Sequence, residues 1–425
     1  MTELAGAAAP AAALWPPLLL AQVQSAGPGT TVGSWAARFA VYLTLTLVVG
    51  GLLTASWLLP ADPRGTLSRE ALRATRLAAR AGLAWAVAAL ALFVFGLSNA
   101  AARPVPDVLR WELVSPFLTN RFGAVVLLTA VVAFLVSGLA AAANTLAGAR
   151  VALVGAALGA LGPALWGHAG GAGPFAVVAD ALHVMGAASW MGGLAALVTL
   201  VLREDVEPLA PSQRFSDLAL VAFAVVGASG VATAWLHLGE ARNLLDTTWG
   251  RLVLVKVALF AVIGVLAWLN RRRRLPALTT GGDTARRAFR VLAGVEVVAM
   301  VAALAVAATL ASSVPADVEA AERVQTLRTS FGDGSVDLSI DPAATGDNVV
   351  HVYWFDAEGR AMPVQNPDVT LTSGDVVVDV PLFVAGPGHD TAPSVTIPEA
   401  GTYTVTITGT VAGRREQATG SVTIR

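Results

Sequence analysis

Hydrophobic positions along the chain follow two patterns, and the change comes near residue 312. Before it, apolar residues run in stretches of roughly 20, the length a helix needs to cross a bilayer. The spacing predicts eight spans, at about 35–59, 79–98, 122–143, 150–167, 176–201, 216–237, 252–270 and 289–311. After it the period drops to two. Ser335 to Ile340 alternates polar and apolar, and so does Thr402 to Thr408. Turn clusters at Asp341-Pro342, Ala357 to Gly359, Asn366 to Asp368 and Gly386 to Gly388 separate such runs. About seven short strands in some 100 residues predict an immunoglobulin-like β-sandwich.

Arginine placement orients the spans, because cytoplasmic loops are enriched in basic residues. The odd-numbered loops hold Arg64, Arg69, Arg73, Arg76 and Arg80, then Arg150, then Arg203 and Arg214, then Arg271 to Arg274 with Arg286, Arg287 and Arg290. The even-numbered loops hold Arg103, Arg110, Arg121, Arg242 and Arg251. Odd loops are therefore expected in the cytoplasm and both termini outside. The expected fold class is an α-helical polytopic membrane protein of about eight transmembrane helices with a C-terminal extracytoplasmic β-sandwich. Residues 1–33 form an Ala/Pro-rich lead-in without the basic start of a signal peptide. Residues 34–312 form the membrane domain, 313–326 a linker and 327–425 the β domain.

Composition narrows the chemistry. The chain is 55% hydrophobic and 13% charged, with a mean hydropathy of +0.66. A net charge of −1 argues against a nucleic-acid partner and leaves the lipid bilayer as the surrounding medium. There is no cysteine, so disulfides and thiolate metal sites are excluded, and a soft metal must be held by Met or His.

The stretch Asp180-Ala-Leu-His183 to Trp190-Met191-Gly192-Gly193 places an acid and an imidazole on one face of a lipid-length helix. Such groups are costly in lipid and should face protein or a water-filled cavity. Gly186, Ala187, Gly192 and Gly193 remove bulk and let a neighbouring helix approach. The alternative is a single histidine that only fixes helix packing. The topology brings His168, His183 and His237 to one level near the outer surface, with Asp180 beside them. Met191 lies two turns deeper, roughly 12 Å at the helical rise, and reads as a second station with Trp190. Met185, nearly opposite His183 around the helix, reads as packing. Lys256 either snorkels outward, pairs with Asp180 or acts as a positive gate. Glu296 either pairs with a loop arginine or marks an inner exit.

Imidazole suits copper, zinc, nickel and haem iron, and thioether favours Cu(I), so a cysteine-free His, Met and carboxylate set fits copper, as Cu(I) or Cu(II), best. No zinc-protease helix, nucleophile elbow or phosphate-cradling loop is present, so the chain is not expected to be an enzyme. In the β domain, His351, Met362 and His389 form a candidate metal group, with incidental surface histidines as the alternative.

Gly167-His168, Asp180 to His183 and Trp190-Met-Gly-Gly193 resemble the copper resistance protein D (CopD) family. So do Arg214-Phe-Ser216 with Ser229-Gly230 and Trp235, Gly250-Arg251 to Lys256, Leu269-Asn270-Arg271-Arg272, and Glu296. The C-terminal domain resembles the YtkA-like β domains attached to some members, on its strand pattern and Gly401-Thr-Tyr403. The resemblance implies a bacterial plasma (inner) membrane protein for copper uptake or tolerance, and it leaves open whether a separate extracytoplasmic copper-binding protein acts as donor. Two readings from other classes stand beside it: a haem-binding redox protein using two of the histidines, and a non-transporting copper sensor or assembly factor.

Overall fold

A computed structural model describes residues 27–59, 61–167, 170–201, 208–239, 241, 243–278, 282–317 and 325–425. Eight of its helices are long and apolar enough to cross a membrane: α1 (Pro28–Leu58), α2 (Arg69–Ala100), α3 (Arg121–Ala142), α4 (Leu146–Trp166), α5 (Pro174–Thr199), α6 (Leu209–Leu238), α7 (Thr248–Ala277) and α8 (Gly282–Leu310). Their starts carry local signals. Ser68, Asn120, Thr145 and Thr247 each accept a hydrogen bond from the backbone N–H three residues on, while Pro28 and Pro174 occupy the first turns of α1 and α5.

Four helices, α1, α2, α6 and α8, begin seven or more residues earlier than the hydropathy predicts. Helix α1 starts inside the expected lead-in, and α2 starts at Arg69, so that Arg69, Arg73, Arg76 and Arg80 ride on the helix. Capping and helix propensity extend a span past its apolar stretch, and hydropathy does not register that extension. Three helices that run the same way, α1, α5 and α7, contain π-turns near their C-terminal ends, at Thr54–Leu58, Leu197–Val201 and Asn270–Arg274.

Between lipid-facing helices there is little hydrophobic driving force, so close van der Waals approach has to supply the association. Helices α1 and α5 meet backbone to backbone at Gly50 and Gly192. A Cβ on Gly50 would run into the Gly192 carbonyl, and one on Gly192 into the Thr46 carbonyl. On the other side of α1, Trp85 of α2 is fully buried with Leu45, Leu52, Leu92 and Phe117. Helices α1 to α4 therefore form a tightly packed half, and α5 is pinned to it through the glycine contact.

The C-terminal domain has nine antiparallel strands: β1 (Gln325–Phe331), β2 (Gly334–Asp341), β3 (Gly346–Phe355), β4 (Gln365–Ser373), β5 (Val376–Val380), β6 (Phe383–Gly386), β7 (His389–Ile397), β8 (Gly401–Val411) and β9 (Arg414–Ile424). They form two sheets, β1-β2-β3-β7-β6 and β5-β4-β8-β9. Buried Phe331, Trp354, Leu371, Tyr403 and Ile407 fill the space between. Nine strands replace the expected seven or so, because β5 and β6 are too short to show a clear alternation. The domain sits against the bundle. Arg121 at the start of α3 pairs with Asp347 at 2.5 Å, Phe383 packs on the bundle core, and Arg103 from the loop after α2 lies over Gly386.

The glycine contact gives a direct prediction. Replacing Gly192 with Ala overpacks the α1–α5 crossing, which typically costs about 1–3 kcal/mol. Thermal unfolding of the purified chain in lipid nanodiscs should show a lowered midpoint. An unchanged midpoint would mean that the two backbones do not touch.

Candidate functional site

A cavity of about 510 Å³ opens among the helices, toward the end of the bundle that bears the β domain. Its walls come from α1 and α4 to α8, and they are mostly apolar. Into it project Asp180, His183 and Met191 of α5, His237 of α6 and Lys256 of α7. The sequence-predicted residues of four helix turns and three helices thus share one space. His168 lies outside the described residues.

The environment of His183 fixes which nitrogen is free. Its Nδ1 lies 3.1 Å from the Val226 carbonyl and 3.2 Å from Ser229 Oγ. The Ser229 hydroxyl proton is already donated to the Val225 carbonyl at 2.5 Å, so toward His183 the oxygen can only accept. Both neighbours are acceptors, so Nδ1 carries the proton and Nε2 keeps its lone pair for a ligand. Gly230 makes room for the ring: a Cβ there would meet His183 Cε1 at 3.2 Å. His237 is buried at the end of α6, its ring edge-on to Trp249.

Asp180 and Lys256 act on each other electrostatically across the cavity, and Tyr42 of α1 lies within reach of the same carboxylate. Lys256 and Asp180 both line the cavity, with no ion pair between them among the described residues.

The inner limit of the cavity is aromatic. Trp190 stands edge-on to Phe223 and Phe260, at 5.6 and 6.2 Å, and those two rings stack at 4.5 Å. Met191 and Met300 both line the cavity and belong to the buried cluster around Trp190. Beyond the indole, Glu296 is only 2% exposed. Its partner is not a loop arginine but Asn270, whose amide donates to the carboxylate at 2.9 Å. Asn270 stands at the start of the π-turn of α7, its own backbone still in α-helical register. The Trp190 indole N–H lies near the same carboxyl group but outside hydrogen-bonding geometry.

Sequence reasoning missed Met300, Tyr42 and Ser229 as cavity or support residues. Met300 lies one helical turn from Glu296 on α8, and that spacing was the available signal. Met185 packs against the α1–α4 half, as its position opposite His183 predicts.

In the β domain the structure brings together two of the three candidates. His351 Nδ1 and His389 Nε2 are 3.0 Å apart. Met362 lies beside Trp354 and packs with the sandwich core, on the opposite face of the sheet from the two imidazoles. Burial pushes His351 down to about 4. Burial, then His351 and Arg103, push His389 down to about 3. Both are neutral at pH 7.

Unfolding returns each imidazole to about 6.5, so between that pH and about 4 the unfolded chain binds more protons and stability rises with pH. Burial raises Asp341 and Asp390 of the same domain, which opposes this slope. The comparison is therefore between the wild-type chain and a His351→Gln, His389→Gln chain. Denaturant titrations of the β-domain transition from pH 4 to 7 should show a shallower pH dependence in the double variant.

Similarity to known proteins runs through the membrane domain. Residues 29–177 match the family described as copper resistance protein D-like, N-terminal domain, and residues 210–310 match copper resistance protein D. Tyr42 falls in the first match and His237, Lys256 and Glu296 in the second, while Asp180 to Met191 lie between them. The copper transport protein CutJ of Bacillus subtilis (strain 168) is 32% identical over 207 residues, covering 46% of this chain and 36% of that protein. This chain thus spans little more than a third of the Bacillus relative. The inner membrane protein YebZ of Escherichia coli (strain K12) is 30% identical over 263 residues, covering 59% of this chain and 88% of that one. With eight membrane-type helices, matches on both sides of α5 and a relative covered almost throughout, the chain belongs to the copper resistance protein D family.

Proposed function

We propose that the chain is a transporter rather than an enzyme, and that its cargo is copper moved toward the cytoplasm across a bacterial plasma membrane. The observation that carries this reading is the single cavity holding Asp180, His183 and His237, with Met191 and Met300 further along it. Imidazole and carboxylate capture the ion, and thioethers accept it as Cu(I). The arginine bias puts the β-domain end outside, so the ion enters where the cavity is wide and meets Trp190 and Glu296 on the way in. Lys256 offsets Asp180 in the empty state, and an arriving cation competes with it for the carboxylate. The β domain faces the outside and receives copper from a separate donor protein.

A second reading draws on the cavity itself. Its volume of about 510 Å³ and apolar walls exceed what a bare ion needs, and two histidines line it. A haem or another flat apolar ligand fits that description. A Soret band in the purified protein would favour haem over copper as the occupant.

The test is cytoplasmic copper in cells expressing the wild-type chain, His183→Ala or Ser229→Ala at matched protein levels. The wild-type chain should raise copper, and His183→Ala should abolish the rise. Ser229→Ala should give an intermediate value, since losing the group that orients a ligand typically costs roughly 10–100-fold in metal affinity. Lower copper with the wild-type chain would reverse the direction. Equal copper in all three would remove the transport reading.

A further inference from the structure

The five-stranded sheet of the β domain turns one face into the sandwich core and the other toward the bundle. On β3, Val350, Val352 and Trp354 point into the core, which leaves His351 and Tyr353 on the outer face. His389 pairs with Tyr353 across β3 and β7 and lies on that outer face as well. The two imidazole rings are 5.3 Å apart with an interplanar angle of 30°, and Tyr353 stacks on His389 at 4.3 Å and 10°. Arg103, from the membrane domain, lies beside Gly386 and within electrostatic range of His389. His389 is left 5% exposed, and the buried Tyr353 hydroxyl has no hydrogen-bond partner among the described residues.

Two nitrogens at 3.0 Å match either of two arrangements. One is an N–H···N hydrogen bond. The other is a pair of ligands to one metal ion. With bonds of about 2.0 Å, a nitrogen separation of that size corresponds to an angle near 90–100° at the metal. That is the angle between neighbouring positions of a tetragonal ion, and Cu(II) prefers tetragonal nitrogen and oxygen sites. A linear two-coordinate Cu(I) would hold its two nitrogens about 4 Å apart by the same bond length.

We propose that His351 and His389 are adjacent ligands of a Cu(II) site in the β domain, at the surface where that domain meets the membrane bundle. Cu(II) also binds such sites more tightly than the other common divalent ions of its row. No third His, Cys, Asp or Glu completes a cluster with them among the described residues. The protein therefore supplies two ligands and leaves the remaining positions to water, as suits an ion that is held and then released. This site lies in a different domain from the helix-lined cavity, and its existence does not depend on the transport reading.

The test uses the full chain in lipid nanodiscs with one equivalent of Cu(II) sulfate, read by pulsed electron paramagnetic resonance, which counts coordinated imidazoles. A chain carrying His183→Ala and His237→Ala keeps the β domain intact and should show two imidazoles bound to Cu(II). Adding His351→Gln and His389→Gln to the His183→Ala, His237→Ala chain should abolish that signal and weaken binding of the first equivalent at least about tenfold. Absence of a two-imidazole signal in the His183→Ala, His237→Ala chain would overturn the proposal without any change to the β domain. An unaltered signal after His351→Gln and His389→Gln are added to the His183→Ala, His237→Ala chain would overturn it as well. Loss of copper uptake alongside a retained two-imidazole signal would show the cavity and the β-domain site to be separate.

Discussion

The contact between Gly50 and Gly192 sets the geometry on which the site depends. Two helix backbones touch there, which only glycine on both sides allows. The contact fixes the rotation and depth of α5 against the tightly packed α1–α4 half. Nearly three turns toward the β-domain end, the same rotation aims His183 and Asp180 at α6, α7 and α8 rather than at lipid. An ionisable side chain in a bilayer is tolerated when it faces protein, and here a close approach of main chains decides which way it faces.

The polar groups of the membrane domain then sort by depth. Near the β-domain end, Asp180, Lys256, His183 and His237 share a space of mixed charge. Deeper, the groups are aromatic rings and thioethers. Beyond Trp190, Glu296 is held by the Asn270 amide. His183 is matched to Val226 and Ser229 of α6, and Glu296 of α8 to Asn270 of α7, so these partners come from different helices. The charge along the path is therefore a property of the assembled bundle rather than of any one span.

Much of this architecture was legible in the chain. Long apolar runs define the eight spans, and period-two alternation defines the β domain, because both arise from local geometry. The set Asp180, His183, Trp190 and Met191 was legible for the same reason, since one helix face can be read from spacing. What spacing does not encode is contact between distant elements. Met300 and Tyr42 look ordinary in their own helices and become cavity residues only when α1 and α8 are packed. Asn270 meets Glu296 only through the packing of α7 against α8, which the spacing within either helix does not give. In the β domain, His351 and His389 are 38 residues apart and meet through the register of β3 with β7, while Met362 falls on the other face of the sheet.

Lys256 is the only lysine in the sequence. Its position in the cavity wall means that the protein keeps its one side-chain amine inside the membrane domain and presents none on either aqueous surface. Among side chains, reagents that acylate amines would find only the cavity. The same fact makes the arginine-rich loops inert to that chemistry, so an amine label on a side chain would report on the cavity alone.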